Sequence, residues 1–141
     1  MATIRYYKQD CDFLPKQRMK ISAWIKETIA EEGFTAGEIS YIFCSQESHL
    51  EMNRQYIGHD YQTDIITFDY TDYEKRKVSG DIFIDPVTVH QNAETWNTTQ
   101  TEEMLRVIIH GILHLCGYKD KTDEEQVVMR AKENHYLAQF K

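Results

Sequence analysis

His110, His114, Gly117 and Asp120 follow the pattern H-x-x-x-H-x-x-G-x-x-D. On a helix, side chains four apart stand one above the other on the same face, so the two imidazoles form a pair. A catalytic divalent ion of the zinc type takes three protein donors about 2.0–2.2 Å away and keeps one position open for water. A third donor on the next turn of the same helix would line up in a row with the first two. The chain must therefore reverse, and Gly117 is the residue that reaches a left-handed conformation at low cost. Asp120 then closes a triangle of donors. His110, His114 and Asp120 are the predicted metal ligands.

The constellation is more specific than the pair. With six histidines in the chain, H-x-x-x-H arises by chance in roughly one chain in four, whereas adding the glycine and the acidic residue lowers this to about two in a thousand. Between Val107 and Cys116 the histidines are the sole polar side chains, which places this helix centrally and makes two unrelated core histidines the weaker reading. Gly111 is anomalous, since a mid-helix glycine costs about 1 kcal/mol against alanine. Close approach of another backbone or of substrate is the expected reason. Cys116, two residues beyond His114, is a minor ligand candidate.

A chain of 141 residues with 41% hydrophobic content reads as one domain, 1–141, able to bury a core without disulfides. Met1 to Asp10 lack the pattern of a signal peptide, and no apolar run nears the roughly eighteen residues of a membrane span. The expectation is a cytoplasmic protein with no membrane partner. Cys11, Cys44 and Cys116 form neither a disulfide framework nor a C-x-x-C knuckle and are read as reduced. A net charge of −7 excludes a general basic nucleic-acid binder while leaving local cation clusters open. Lys16, Arg18 and Lys20 form one, Lys75, Arg76 and Lys77 another. Arg106, Lys119 and Lys121 flank the histidine motif, where cations suit an anionic substrate.

The elements that must position this motif can be read in order. Ile4 to Tyr7 forms a strand, and Pro15 opens a helix that Gly33 stops after Glu32. Ile39 to Cys44 is a strand, Ser45 caps a helix to Tyr56, and Thr63 to Tyr70 alternates as a strand. Gly80 to Ile84 is the fourth strand, Pro86 starts a helix to Trp96, Thr101 caps the histidine helix, and Thr122 caps a last helix to Phe140. The fold class is α+β: about four strands covered by about five helices, with the metal helix in the middle, a zincin-like arrangement.

His110-Gly111-Ile112-Leu113-His114-Leu115-Cys116-Gly117-Tyr118 resembles the signature H-G-x-L-H-L-x-G-Y-D-H of the bacterial YbeY family, metal-dependent endoribonucleases and rRNA maturation factors. Asn53, Tyr56, Gly58, Asp60, Thr63, Asp64, Ile65, Ile66, Thr67 and Phe68 resemble the family's N-x-x-Y-R-G-x-D-x-x-T-D-V-L-S-F stretch, and Gly80 to Ile84 looks like its third landmark. The chain departs from the pattern at two places. Asp120 stands where the family usually has a third histidine, with Lys119 before it in place of aspartate, and Ile57 stands where the family has arginine. The resemblance implies that this arginine binds phosphate. Arg54 and His59 are the nearby cations that could take its place, and are the candidate substrate-binding residues.

Three functions follow as expectations. The first is metal-dependent hydrolysis of single-stranded RNA in rRNA maturation and ribosome quality control, with rRNA and the small ribosomal subunit as partners and one divalent ion, zinc by preference, as cofactor. The second is a zinc metallopeptidase, against which Gly111 occupies the place of the glutamate in H-E-x-x-H. The third is a non-enzymatic RNA-binding assembly factor with a structural metal, which requires a closed shell of four ligands. Asp64 and Asp81 are candidate catalytic carboxylates, although each borders a strand and a turn or cap role suits them as well. Asn53, Tyr56 and Thr63 fall in the same group, and the general acid or base is not evident.

Overall fold

The computed structural model describes residues 3–57 and 63–140. Strand β1 (Thr3–Gln9) pairs in parallel with β2 (Thr35–Cys44), and helix α1 (Arg18–Glu31) makes the crossover between them. Two further strands complete a sheet of order β1-β2-β4-β3: β4 (Lys77–Ile84) runs parallel to β2, and β3 (Ile65–Asp69) lies antiparallel on the edge. A short edge strand of opposite direction is a common way to finish a largely parallel sheet.

Helices α2 (Gln46–Met52), α3 (Pro86–Thr95), α4 (Gln100–Leu115) and α5 (Asp123–Leu137) complete the fold, with a π-helical turn, Asn53–Ile57, continuing α2. In β4 the inward positions Val78, Gly80, Ile82 and Ile84 alternate with less buried ones, as a period of two requires. Those residues meet α4, whose Ile108, Ile109, Ile112, Leu113 and Leu115 are all fully buried. Helix α4 packs against β3, β4, α1, α3 and α5. The predicted α+β class and the central histidine helix are both present.

The close approach at Gly111 is to the sheet. A methyl group there would meet Ile82 Cδ1 at 3.0 Å and Ile65 Cδ1 at 3.1 Å. The glycine thus seats α4 on β3 and β4 through isoleucine side chains, not against a backbone or a substrate as expected.

Several boundaries move, for local reasons. Helix α1 starts at Arg18, after Gln17 in a left-handed conformation, and Pro15 is a buried loop residue whose carbonyl accepts a hydrogen bond from Arg18 Nη1 at 2.9 Å. The cap of α4 is Thr99, whose hydroxyl accepts from the Glu102 N–H at 3.0 Å, so Thr101 lies inside the first turn. Thr122 caps α5 as expected and shares a capping box with Glu125. No helix among the described residues is long and apolar enough to cross a membrane.

Candidate metal centre

Helix α4 is buried on nearly its whole circumference, and Arg106, His110 and His114 interrupt this at intervals of four as a half-buried stripe. The stripe ends where the helix ends. Gly117, at φ +102°, closes a Schellman turn in which the Tyr118 N–H reaches Leu113 O at 3.0 Å and the Gly117 N–H reaches His114 O at 3.0 Å. The same reversal lays the Tyr118 carbonyl 2.9 Å from His114 Nδ1 and returns Asp120 to the imidazoles. Tyr118 is held in turn by its hydroxyl, which donates to Glu32 at 2.7 Å.

Three donor atoms converge. His110 Nε2 and His114 Nε2 are 3.0 Å apart, and Asp120 Oδ2 lies 3.2 Å from the first and 3.3 Å from the second. Tetrahedral donors about 2.0–2.1 Å from one ion are spaced about 3.3 Å from each other, so the triangle has the size that such an ion requires. The outer nitrogens support this assignment. His110 Nδ1 faces Glu133 Oε2 at 2.6 Å and His114 Nδ1 faces the Tyr118 carbonyl, both pure acceptors. Each Nδ1 therefore carries a proton, and the two Nε2 atoms face each other beside a carboxylate. A cation relieves that juxtaposition, and the residues present fit one.

The charges agree. Burial alone would lower His110, but its hydrogen bonds to Asp120 and Glu133 and their negative charges outweigh it and raise the group to about 9. The hydrogen bond from His110 draws Asp120 down to about 2, against a smaller opposing effect of desolvation. Burial and the neighbouring His110 both lower His114. Burial would raise Glu133, but the hydrogen bond and charge of His110, with the hydrogen bond from Arg106, bring it below the usual carboxylate range. The centre without metal thus retains one proton where the three donors meet.

Glu133 had no sequence signal. It stands on α5, 23 residues from His110, is 5% exposed, and also accepts from Arg106 Nη1 at 3.0 Å. Such an outer carboxylate fixes the tautomer and orientation of a metal-binding histidine. An acid three residues after Arg130, on a helix that already carries Asp123, Glu124 and Glu125, has no spacing that pairs it with His110.

Around the triangle opens a cleft of about 810 Å³ lined by residues of β3, α3, α4, α5 and the loop after α4. Anions lie deep, with Glu103 and Glu133 buried, while Lys119, Lys121 and Arg130 are exposed on its walls. Asn53, Thr63 and Asp64 line it. Burial raises the Asp64 carboxyl despite the nearby His110, and Asn92 Nδ2 donates to it at 3.5 Å. Asp81 does not join the site. It follows strand alternation to the face opposite Ile82, paired with Ser40 and Phe68 along the sheet. Tyr56 is exposed and packs edge-on against Phe68. Arg54 sits on the π-helical turn with its guanidinium 3.8 Å from Glu51 and is not among the cleft residues. His59, with Gly58 and Asp60, lies outside the described residues. Cys116 is not part of the donor group found among the described residues, and burial pushes its thiol up to about 12.

Fold and site together define an α+β protein with a four-stranded sheet among the described residues and with two histidines and a carboxylate that could hold a metal ion in an open cleft. Comparison with known proteins narrows this class. The profile of the endoribonuclease YbeY family matches residues 4–141. A protein of Parabacteroides distasonis named endoribonuclease YbeY is 53% identical over 135 residues, covering 96% of this chain and 94% of that one. One of the same name from Cytophaga hutchinsonii is 46% identical over 136 residues, with coverages of 96% and 94%. The solution structure of TM1509 from Thermotoga maritima superposes with a TM-score of 0.69 at 29% identity, covering 98% of this chain and 89% of its own. The chain belongs to the YbeY endoribonuclease family and is, by that membership, a nuclease of the hydrolase class.

Proposed function

We propose that this chain is a metal-dependent endoribonuclease that cleaves single-stranded RNA during rRNA maturation and ribosome quality control, acting on the small ribosomal subunit in the cytoplasm. The observation that carries the reading is the triangle of His110 Nε2, His114 Nε2 and Asp120 Oδ2, with edges of 3.0, 3.2 and 3.3 Å. Family membership supports RNA as substrate, and the sequence resemblance supports rRNA and the ribosomal subunit. Two imidazoles and one carboxylate favour zinc among the common divalent ions.

When bound by His110, His114 and Asp120, that ion would supply Lewis-acid polarisation of a phosphate oxygen and an acidified water. The remaining work belongs to side chains. Glu133 and the Tyr118 carbonyl hold both imidazoles with Nε2 turned inward. Lys119, Lys121 and Arg130, exposed on the walls, draw in the RNA backbone. Asp64, raised by burial, holds a proton at its carboxyl more readily than an exposed aspartate does. Three protein donors would leave a coordination position for solvent, which favours catalysis over a purely structural metal. The position after His110 is a glycine packed on Ile82 and Ile65, so a peptidase glutamate has no place there.

The test is cleavage of end-labelled single-stranded RNA by wild type, His114→Ala and Asp120→Ala, beside a peptide panel. RNA fragments from wild type alone are expected. Peptide hydrolysis with intact RNA, or undiminished RNA cleavage by folded variants, would refute the proposal.

A further inference from the structure

The chain has two tryptophans, and they are treated in opposite ways. Trp24 is 3% exposed and donates its indole N–H to the Tyr136 carbonyl at 2.8 Å. Trp96 is 70% exposed and lines the cleft of the donor triangle. An indole carries one of the largest apolar surfaces of any side chain, and folding ordinarily removes most of it from water.

The exposure of Trp96 is built into a fixed turn. Trp96 caps α3, and its N–H bonds to Asn92 O at 2.9 Å. Asn97 follows at φ 55°, with its N–H on Glu94 O at 3.2 Å and the Thr98 N–H on Ala93 O at 3.0 Å. These are the two bonds of a Schellman closure with asparagine in the left-handed position. The backbone beneath the ring is therefore set by three hydrogen bonds before any ligand arrives, and holding it costs little at the moment of binding. The same cleft carries the exposed cations Lys119, Lys121 and Arg130. A planar aromatic surface in a cleft that also carries cations is the combination that grips a single nucleic-acid strand: the cations follow the phosphates and the ring takes a base face.

We propose that Trp96 is a stacking platform for one base of the single-stranded RNA whose scissile phosphate lies at the His110, His114 and Asp120 triangle. The proposal rests on the endoribonuclease reading and adds to it a substrate-binding residue on α3, outside the histidine motif. Stacking engages a base face without reading its edge, so the contribution is strand-specific and tolerant of sequence.

Binding of a fluorescein-labelled single-stranded RNA is measured by anisotropy for zinc-supplied wild type, Trp96→Ala and Trp96→Phe, over a time in which a gel shows the strand still intact. Thermal melts confirm that the variants are folded. Trp96→Ala is expected to weaken binding about 5- to 150-fold, with Trp96→Phe recovering most of the loss. Unlabelled RNA should quench the solvent-exposed part of wild-type tryptophan emission, and that quench should be missing in Trp96→Phe even where affinity is retained. Equal affinity of wild type and Trp96→Ala, within twofold, overturns the proposal and leaves the endoribonuclease reading in place. Absence of RNA binding by wild type overturns both.

Discussion

Replacement of Glu133 by glutamine changes one oxygen for one nitrogen and keeps the shape, so it isolates what the carboxylate does. The native group accepts from His110 Nδ1 at 2.6 Å and Arg106 Nη1 at 3.0 Å, with Arg130 Nη1 at 3.6 Å. Every neighbour is a donor, and an amide satisfies only some of them. If the amide oxygen in Glu133→Gln turns to His110, its NH2 confronts two guanidinium groups. If the NH2 turns to His110, Nδ1 must become the acceptor, the ring proton moves to Nε2, and the metal-facing lone pair is lost. Either way the metal-ready tautomer is disfavoured. Loss of such an outer partner lowers metal affinity about 10- to 100-fold, or about 1.4–2.8 kcal/mol. Competition of the folded protein with a fluorescent zinc chelator at neutral pH reads this directly. Zinc affinity equal to wild type in Glu133→Gln would refute the argument that Glu133 sets the His110 tautomer.

Metal uptake should depend on pH in a defined direction. Because His110 in the metal-free site is raised to about 9, each ion bound at neutral pH should expel about one proton, and apparent affinity should climb about tenfold per pH unit until that value is passed. Calorimetry in buffers of different ionisation enthalpy counts the proton, and a count of zero contradicts the prediction. The linked stability of the metal-free fold has the opposite slope. A raised folded value stabilises fully below the ordinary histidine value of about 6.5, and the contribution disappears as pH rises through about 9. Gly117→Ala should cost about 1–2 kcal/mol in urea denaturation, since φ is +102° and a methyl there meets nothing nearer than Tyr73 at 3.8 Å, so the penalty lies in the backbone alone. Metal affinity should fall with it, because the same turn carries the Tyr118 carbonyl; unchanged stability would show that the turn tolerates a side chain.

What the sequence disclosed depended on how local each feature is. His110, His114, Gly117 and Asp120 lie within eleven consecutive residues, and helix periodicity plus one reversal suffices to bring them together. Glu133 reaches the same imidazole from another helix, and no spacing rule connects α5 to α4 before both are packed. Strand β2 begins at Thr35, not Ile39, because Thr35 and Ala36 pair with Lys77 and Val78 across a register shift. That pairing is long-range and has no pattern in the strand itself. Thr99 and Thr101 both offer an N-cap hydroxyl to an acidic first turn, and only the backbone geometry chooses Thr99. Asp64 and Asp81 look alike as acids at strand borders, and separate because β4 turns Asp81 away from the helix that carries the histidines.

Elemental analysis of the purified protein beside Asp120→Ala tests whether three side chains hold one ion. About one equivalent of zinc per wild-type chain is predicted, with a large loss in the folded variant, since Asp120 Oδ2 closes both edges of the triangle at 3.2 and 3.3 Å. Equal metal content in the two proteins, or none in wild type after growth and purification with zinc, would contradict it.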